Sequence, residues 1–121
     1  MTNTFQDHIA QEAIDLLQSM IRMPSFSREE QATAQLIAEY LSHKGIPVQQ
    51  HLNNVWAMNQ HYNPSLPTLL LNSHHDTVKP NSGYTRDPFD GEVTDGKLYG
   101  LGSNDAGASL VALLFSFLHA G

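Results

Sequence analysis

His74 and Asp76 stand one residue apart, and Asp105 follows 31 positions after His74. These three side chains are of the types that could do chemistry together. A neutral imidazole offers a lone pair to a borderline cation such as zinc, and a carboxylate can serve two cations, one on each oxygen. A histidine that binds metal through one ring nitrogen usually gives its other N–H to a carboxylate or carbonyl, which fixes its tautomer. Taken singly, each feature also has a plain explanation. A His-x-Asp triplet arises easily by chance, and His75 and Asp76 could simply cap the end of a strand. Asn104 or Asp105 could be no more than the N-cap of the helix that follows.

Other candidate chemistry is weaker. The chain has no cysteine, so thiolate metal sites and disulfides are excluded, and any metal must be held by His and carboxylates. The pair Glu29-Glu30 falls in the first turn of an expected helix, where acidic side chains complement the helix dipole. Gly100-Leu101-Gly102 is only part of a dinucleotide fingerprint, because its third glycine would fall on Asp105, where a carboxylate would repel pyrophosphate. His8, His43, His51, His61 and His119 show no spacing that suggests a site. His75 points away from His74 if the pleat of a strand continues through them.

The elements that must position these residues follow from periodicity. Ile9, Ala13, Leu17, Met20 and Ile21 recur at helical spacing and predict a helix over 5–22, with Thr4 as a cap and Pro24 as a stop. Thr33, Leu36, Ile37, Tyr40 and Leu41 predict a second over 28–44, with Ser27 and Glu30 as a capping box and Gly45 as C-cap. Ile46, Val48 and Leu52 alternate as in a half-buried strand, Asn53-Asn54 reads as a tight turn, and residues 55–60 read as the return strand. Residues 61–67 read as a loop. The nearly continuous apolar run over 68–73 predicts a central strand buried on both faces, which delivers His74 and Asp76 at its carboxyl end. Residues 79–96 are turn-rich, and 97–99 are a short strand candidate. A glycine-punctuated loop opens a last helix, from about Ala106 to His119, apolar nearly all round and in need of cover on more than one side.

Bulk properties bound the function classes. The 121 residues suit one domain, and the formal net charge is −6 with six Lys and Arg in total, scattered along the chain. No basic patch exists to neutralise phosphates, so nucleic acid is not an expected partner. An acidic chain also disfavours anionic membranes. No signal peptide is visible in the sequence and no apolar run is long enough to span a bilayer, so the expected location is cytoplasmic.

Read in order, the segments identify a resemblance. Residues 69–78, Thr85-Arg86-Asp87-Pro88-Phe89, and residues 95–105 ending in Gly100-Leu101-Gly102-Ser103-Asn104-Asp105 resemble the successive motifs of the di-zinc amidohydrolase and exopeptidase family. That family includes acetylornithine deacetylase, succinyl-diaminopimelate desuccinylase, aminoacylase and glutamate carboxypeptidase. The Thr-Arg-Asp-Pro-Phe and Tyr-Gly-Leu-Gly segments look most like acetylornithine deacetylase. The resemblance covers nearly the whole chain. It implies an α/β fold, the N-terminal part of a zinc-exopeptidase-like three-layer sandwich with a mixed, largely parallel sheet flanked by helices. Residues 1–121 would then be the N-terminal portion of the catalytic domain, without its C-terminal part or the dimerisation domain.

The resemblance also implies roles. His74 would ligate one zinc and Asp105 would bridge two Zn2+ (Co2+ being possible). Asp76 would orient His74 as a catalytic residue that binds no metal, and the Asp105–Ala106 peptide would be cis. The implied reaction is hydrolysis of the amide bond of an N-acyl amino acid, foremost deacetylation of N-acetylornithine in arginine biosynthesis, by a homo-oligomer. A desuccinylase or dipeptidase of the same family is the alternative, and a non-catalytic scaffold or interaction module is a third. Three departures bear on the substrate: Pro80 arrives one residue late, Tyr84 stands where Trp is common, and Ala106-Gly107-Ala108 replaces Met-Lys-Gly. The family's general-base Glu and its neighbouring metal-binding Glu have no counterpart in residues 106–121, which contain no carboxylate. The 121-residue chain alone is therefore expected to bind metal weakly, to be inactive, and to self-associate through exposed apolar surface.

Overall fold

The first helix forms where its apolar stripe predicts it. In the computed structural model, which describes residues 4–120, α1 spans Thr4–Ile21 and buries Leu16, Leu17, Met20 and Ile21, with Ile9 and Ala13 partly covered. Thr4 is already helical, and the helix ends before Pro24 as expected. The last helix, α3 (Ala108–His119), packs on α1 through Leu110, Val111, Leu114 and Phe115. Fully burying each such side chain contributes roughly 1.5–3 kcal/mol relative to leaving it exposed. Neither helix, nor any other among the described residues, is long and apolar enough to cross a membrane.

The second helix, α2 (Gln31–His43), starts three residues later than the sequence suggests. Ser27 and Glu30 make no capping box, since Glu30 is itself the N-cap residue and the cap has no side-chain hydrogen bond. The reason lies in the preceding backbone. Phe26 forms an isolated parallel bridge with Thr77, and Ser27 N–H donates to Thr77 O at 3.1 Å. The chain then turns at Arg28 in the left-handed region (φ 73°) before helical torsions begin. The other end closes as expected in kind. Lys44 is the cap residue and Gly45 follows at φ 79°, with Gly45 N–H donating to Ser42 O and Ile46 N–H to Leu41 O, a Schellman closure. Ile37 and Leu41 of α2 join the core, and the Tyr40 ring meets Phe115 of α3 at 6.0 Å. Glu12 of α1 accepts from the Tyr40 hydroxyl and pairs with Lys44.

β1 (Val48–His51) and β2 (Asn54–Ala57) form the expected antiparallel hairpin, with Val48 opposite Ala57 and His51 opposite Asn54. The turn sits one residue earlier than predicted, at Leu52-Asn53, and Leu52 takes φ 55°. Val55 and Ala57 face inward, leaving Trp56 and Met58 exposed. The Lys97 strand also forms, as β4 (Lys97–Leu98), and pairs with β3 (Val93–Thr94) across Asp95-Gly96 at φ 54° and 72°. Two consecutive positive φ values are the torsions of a type I′ turn, and Asp-Gly is a signature for it.

The central strand does not form. Among the described residues, 68–73 pair with nothing in a ladder, and Leu69 and Leu70 are 82% and 84% exposed. A strand exists only by lateral hydrogen bonds, and none of the described residues forms a ladder with this stretch. The described residues thus form a mixed α/β structure of helices and two small antiparallel hairpins, and the expected three-layer sandwich with a largely parallel sheet is not shown in them. The Phe26–Thr77 bridge is the single parallel pairing among the described residues.

Candidate metal centre

Two irregular stretches deliver the site. The first, residues 74–77, is held by backbone bonds to the stretch before α2: Thr77 N–H donates to Ser25 O at 2.8 Å, and Ser27 N–H returns to Thr77 O. The second is the glycine loop before α3. Leu101 N–H donates to Pro88 O at 2.7 Å, and Gly107 N–H to Gly102 O at 2.7 Å. Gly102 takes φ 79°, and a Cβ placed there would stand 2.5 Å from Thr77 Cγ2. The loops therefore meet at a distance only glycine permits, which brings the residues after Gly102 against the residues around Thr77. Asp105 (φ −122°, ψ 92°) and Ala106 (φ −128°, ψ 33°) are not helical, so α3 starts after Asp105 rather than being capped by it. The Asp105–Ala106 peptide is cis, as the resemblance implies.

The structure brings His74, Asp76 and Asp105 together. His74 Nε2 is 3.0 Å from Asp105 Oδ1. His74 Nδ1 lies 3.1 Å from Asp76 Oδ1 and 3.2 Å from Asp76 O. Ser27 Oγ donates to Asp76 Oδ2 at 2.7 Å. Carboxylate and carbonyl oxygens only accept, so Nδ1 carries the hydrogen that points at Asp76. A neutral His74 would then face the Asp105 oxygen with a lone pair on Nε2. Two lone pairs at 3.0 Å repel unless a cation, or a proton, lies between them.

The electrostatics agree with that geometry. Partial burial works against a charged His74, but the Asp76 backbone carbonyl and the charges of Asp76 and Asp105 outweigh it and raise the imidazole above its ordinary 6.5. The Ser27 hydroxyl, followed by the His74 charge, holds the Asp76 carboxyl below its ordinary range. The site opens on a cleft of about 420 Å³, bordered also by Ser103, Asn104 and Tyr84. Asp105 is 90% exposed there, so its carboxylate is accessible from solvent.

An imidazole nitrogen and a carboxylate oxygen, facing each other with the imidazole's second nitrogen engaged by Asp76, form a donor set that fits a divalent cation. The set is partial: no group of three or more His, Cys, Asp or Glu suited to a metal exists among the described residues.

The sign of the pH dependence follows. A proton on Nε2 must leave before a cation can take the lone pair, so affinity should rise with pH through the raised His74 titration. Zinc titrations by calorimetry at about pH 6 and about pH 8 should show tighter binding and less proton release at the higher pH. Equal affinities would mean that Nε2 is not a donor. Folding stability runs the opposite way. With its folded value raised, His74 contributes stability below its unfolded value, and this is lost as pH rises through the folded one. Asp76, lowered in the fold, contributes above its unfolded value and loses this as pH falls through the folded one.

Sequence reasoning did not find Ser27 as the donor to Asp76. Its sequence context is that of a helix cap, and a contact across 49 positions leaves no local signal. His75 does turn away from His74. Its Nδ1 lies 2.7 Å from Thr33 Oγ1 and its Nε2 lies 2.9 Å from Asn53 O.

Comparison with known proteins bears on what such a site does. The sequence model of peptidase family M20/M25/M40 matches residues 70–119, the stretch holding all three candidate site residues. Similar proteins include succinyl-diaminopimelate desuccinylases. That of Methylorubrum populi is 30% identical over 119 residues, covering 89% of this chain and 30% of the relative. That of Methylorubrum extorquens is 32% identical over 114 residues, covering 85% and 29%. That of Xylella fastidiosa is 33% identical over 122 residues, covering 91% and 31%. The chain thus spans about 30% of the length of the relatives it matches.

Proposed function

We propose, from the match of residues 70–119 to the model of peptidase family M20/M25/M40, that this chain belongs to that family and supplies part of the active site of a metal-dependent hydrolase that cleaves the amide bond of an N-acyl amino acid. The observation that carries this reading is the 3.0 Å approach of His74 Nε2 to Asp105 Oδ1, with Asp76 behind the imidazole. His74 and Asp105 would hold the cations, two Zn2+ or Co2+. Metal bound there supplies Lewis-acid polarisation of the amide carbonyl. Asp76 keeps the Nδ1 hydrogen of His74 in place, so that Nε2 presents its lone pair to the cleft. Ser27 keeps Asp76 in place by donating to its other oxygen.

The acyl group is the finer question. The names of the relatives favour a succinyl group, whereas the Thr-Arg-Asp-Pro-Phe and Tyr-Gly-Leu-Gly segments favour N-acetylornithine and arginine biosynthesis. Both are N-acyl amino acids, and a dipeptide is the third candidate. We place the protein in the cytoplasm, where free amino acids are assembled, and as a homo-oligomer, in keeping with the exposed apolar run at Leu69 and Leu70.

The test grafts this chain onto the Xylella desuccinylase in place of its matching segment and supplies Zn2+. The chimera is expected to hydrolyse one of N-succinyl-diaminopimelate, N-acetylornithine or a dipeptide, and to lose this with His74→Ala. The 121-residue chain alone is expected to turn over none of them. Retention of activity in the His74→Ala chimera would overturn the reading, and turnover by the chain alone would show that its own donors suffice.

A further inference from the structure

His75 lies between two residues of the candidate site and points the other way. Its Nε2 is 2.9 Å from the carbonyl oxygen of Asn53, in the β1–β2 turn. Its Nδ1 is 2.7 Å from the hydroxyl of Thr33, in the first turn of α2. A carbonyl can only accept, so Nε2 carries the hydrogen and Nδ1 holds a lone pair in the neutral ring. The Thr33 hydroxyl then donates to Nδ1, the shorter of its two contacts, the other being Glu30 O at 3.2 Å. Thr33 is fully buried, so water has no easy access to replace this bond. The carbonyl of His75 takes a third bond, from the buried Ser25 hydroxyl at 2.9 Å. One residue thereby ties α2, the hairpin turn and the stretch before α2 to the segment that carries His74 and Asp76.

That bracing has a specific consequence because no ladder holds the segment. Residues 69–73 have no strand neighbour among those described, and on the other side only the backbone of Thr77 is pinned. The contact between His74 Nδ1 and Asp76 joins side chains two positions apart. Their relative placement depends on the backbone torsions of the residue between them, His75, together with their own side-chain rotamers. We propose that His75, held as the Nε2–H tautomer by Thr33 and Asn53, is a positioning residue that fixes the backbone between His74 and Asp76 and so aims His74 Nε2 at Asp105. This deepens, and rests on, the reading of His74 and Asp105 as donors to a divalent cation.

The test uses the whole 121-residue chain and four variants. Thr33→Val removes the hydroxyl and keeps the shape. His75→Phe removes both ring partners. His75→Gln keeps a donor within reach of Asn53, and Thr33→Ser keeps the hydroxyl. Long-range 1H–15N spectra, recorded above the His74 titration, report which nitrogen of each ring bears hydrogen. Co2+ titrations followed by absorption report affinity, each at a temperature below the melt of its variant. In the unsubstituted chain His75 should be Nε2–H and His74 should be Nδ1–H. In Thr33→Val and His75→Phe the His74 ring should average between tautomers, and Co2+ affinity should fall about tenfold, the lower end of what outer partners of a metal ligand contribute. His75→Gln should recover part of both effects, and Thr33→Ser nearly all. An Nδ1–H tautomer for His75 in the unsubstituted chain overturns the proposal. So does an unchanged His74 ring, with affinity within twofold, in both Thr33→Val and His75→Phe. If the unsubstituted chain takes up no Co2+ while the His74 ring responds as expected, the metal reading fails and the positioning role stands.

Discussion

Asp105→Asn is expected to lower the affinity of this chain for Zn2+ or Co2+ by about 100-fold or more, since outer-shell partners alone typically account for 10–100-fold. The substitution keeps the size and shape of the side chain and removes its charge. It leaves His74 as one neutral donor with no anionic partner across the 3.0 Å gap. A smaller effect opposes it: without the Asp105 charge the imidazole binds its proton less tightly, so proton competition eases. Losing a ligand outweighs easing a competitor. Asp105 is 90% exposed and sits outside the hydrophobic core, so the thermal melt should hardly move. That separates a binding effect from a folding one. Calorimetric titration of the variant beside the unsubstituted chain, at one pH near 7.5 and one ionic strength, decides it. Undiminished affinity would remove Asp105 from the donor set.

Gly102→Ala is expected to destabilise the fold by about 2–6 kcal/mol, the sum of two costs of about 1–3 kcal/mol each. The first is torsional, because an alanine at φ 79° occupies a region that L side chains rarely adopt. The second is steric, because its Cβ would stand 2.5 Å from Thr77 Cγ2. For a chain of this length the loss corresponds to a fall in melting temperature of roughly 10 °C or more. The two costs are separable. Thr77→Ser removes the clashing methyl, so the double variant should recover the steric part and keep the torsional part, which a denaturation cycle over the four proteins reads directly. A melt within a degree or two of the unsubstituted chain would mean that the two loops are not held at this distance. The same separation should loosen the approach of Asp105 to His74.

What the sequence made legible divides along the range of the interactions. The stripe of Leu17, Met20 and Ile21 in α1, the Gly45 closure of α2 and the alternation around Val55 are local patterns, and each predicted element formed. Leu69, Leu70 and Leu71 have the composition of a buried strand, but burial depends on neighbours, which composition does not carry. Ser27 satisfied a capping pattern, yet its backbone was claimed by Thr77, 50 positions away, and its hydroxyl by Asp76. The β3–β4 hairpin has a local signal too, since Asp95-Gly96 ahead of a strand candidate is a strong short-range hairpin pattern. His74, Asp76 and Asp105 were singled out by type, and their convergence required Gly102, whose close approach to Thr77 is a fact of three dimensions.

The 3.0 Å contact between His74 Nε2 and Asp105 Oδ1 also bears on which ions the proposed site would favour. Below the raised titration of His74 a proton on Nε2 would lie between the two groups, and an ion taking both as donors would have to displace it. Magnesium and calcium prefer sets made wholly of oxygen, bind imidazole poorly, and would gain little in that exchange. Zinc, cobalt and nickel, which bind imidazole well, gain more. As the proposed donors to a cation, one imidazole nitrogen and one carboxylate oxygen would favour borderline metals over the more abundant hard cations, which gain least from displacing the proton.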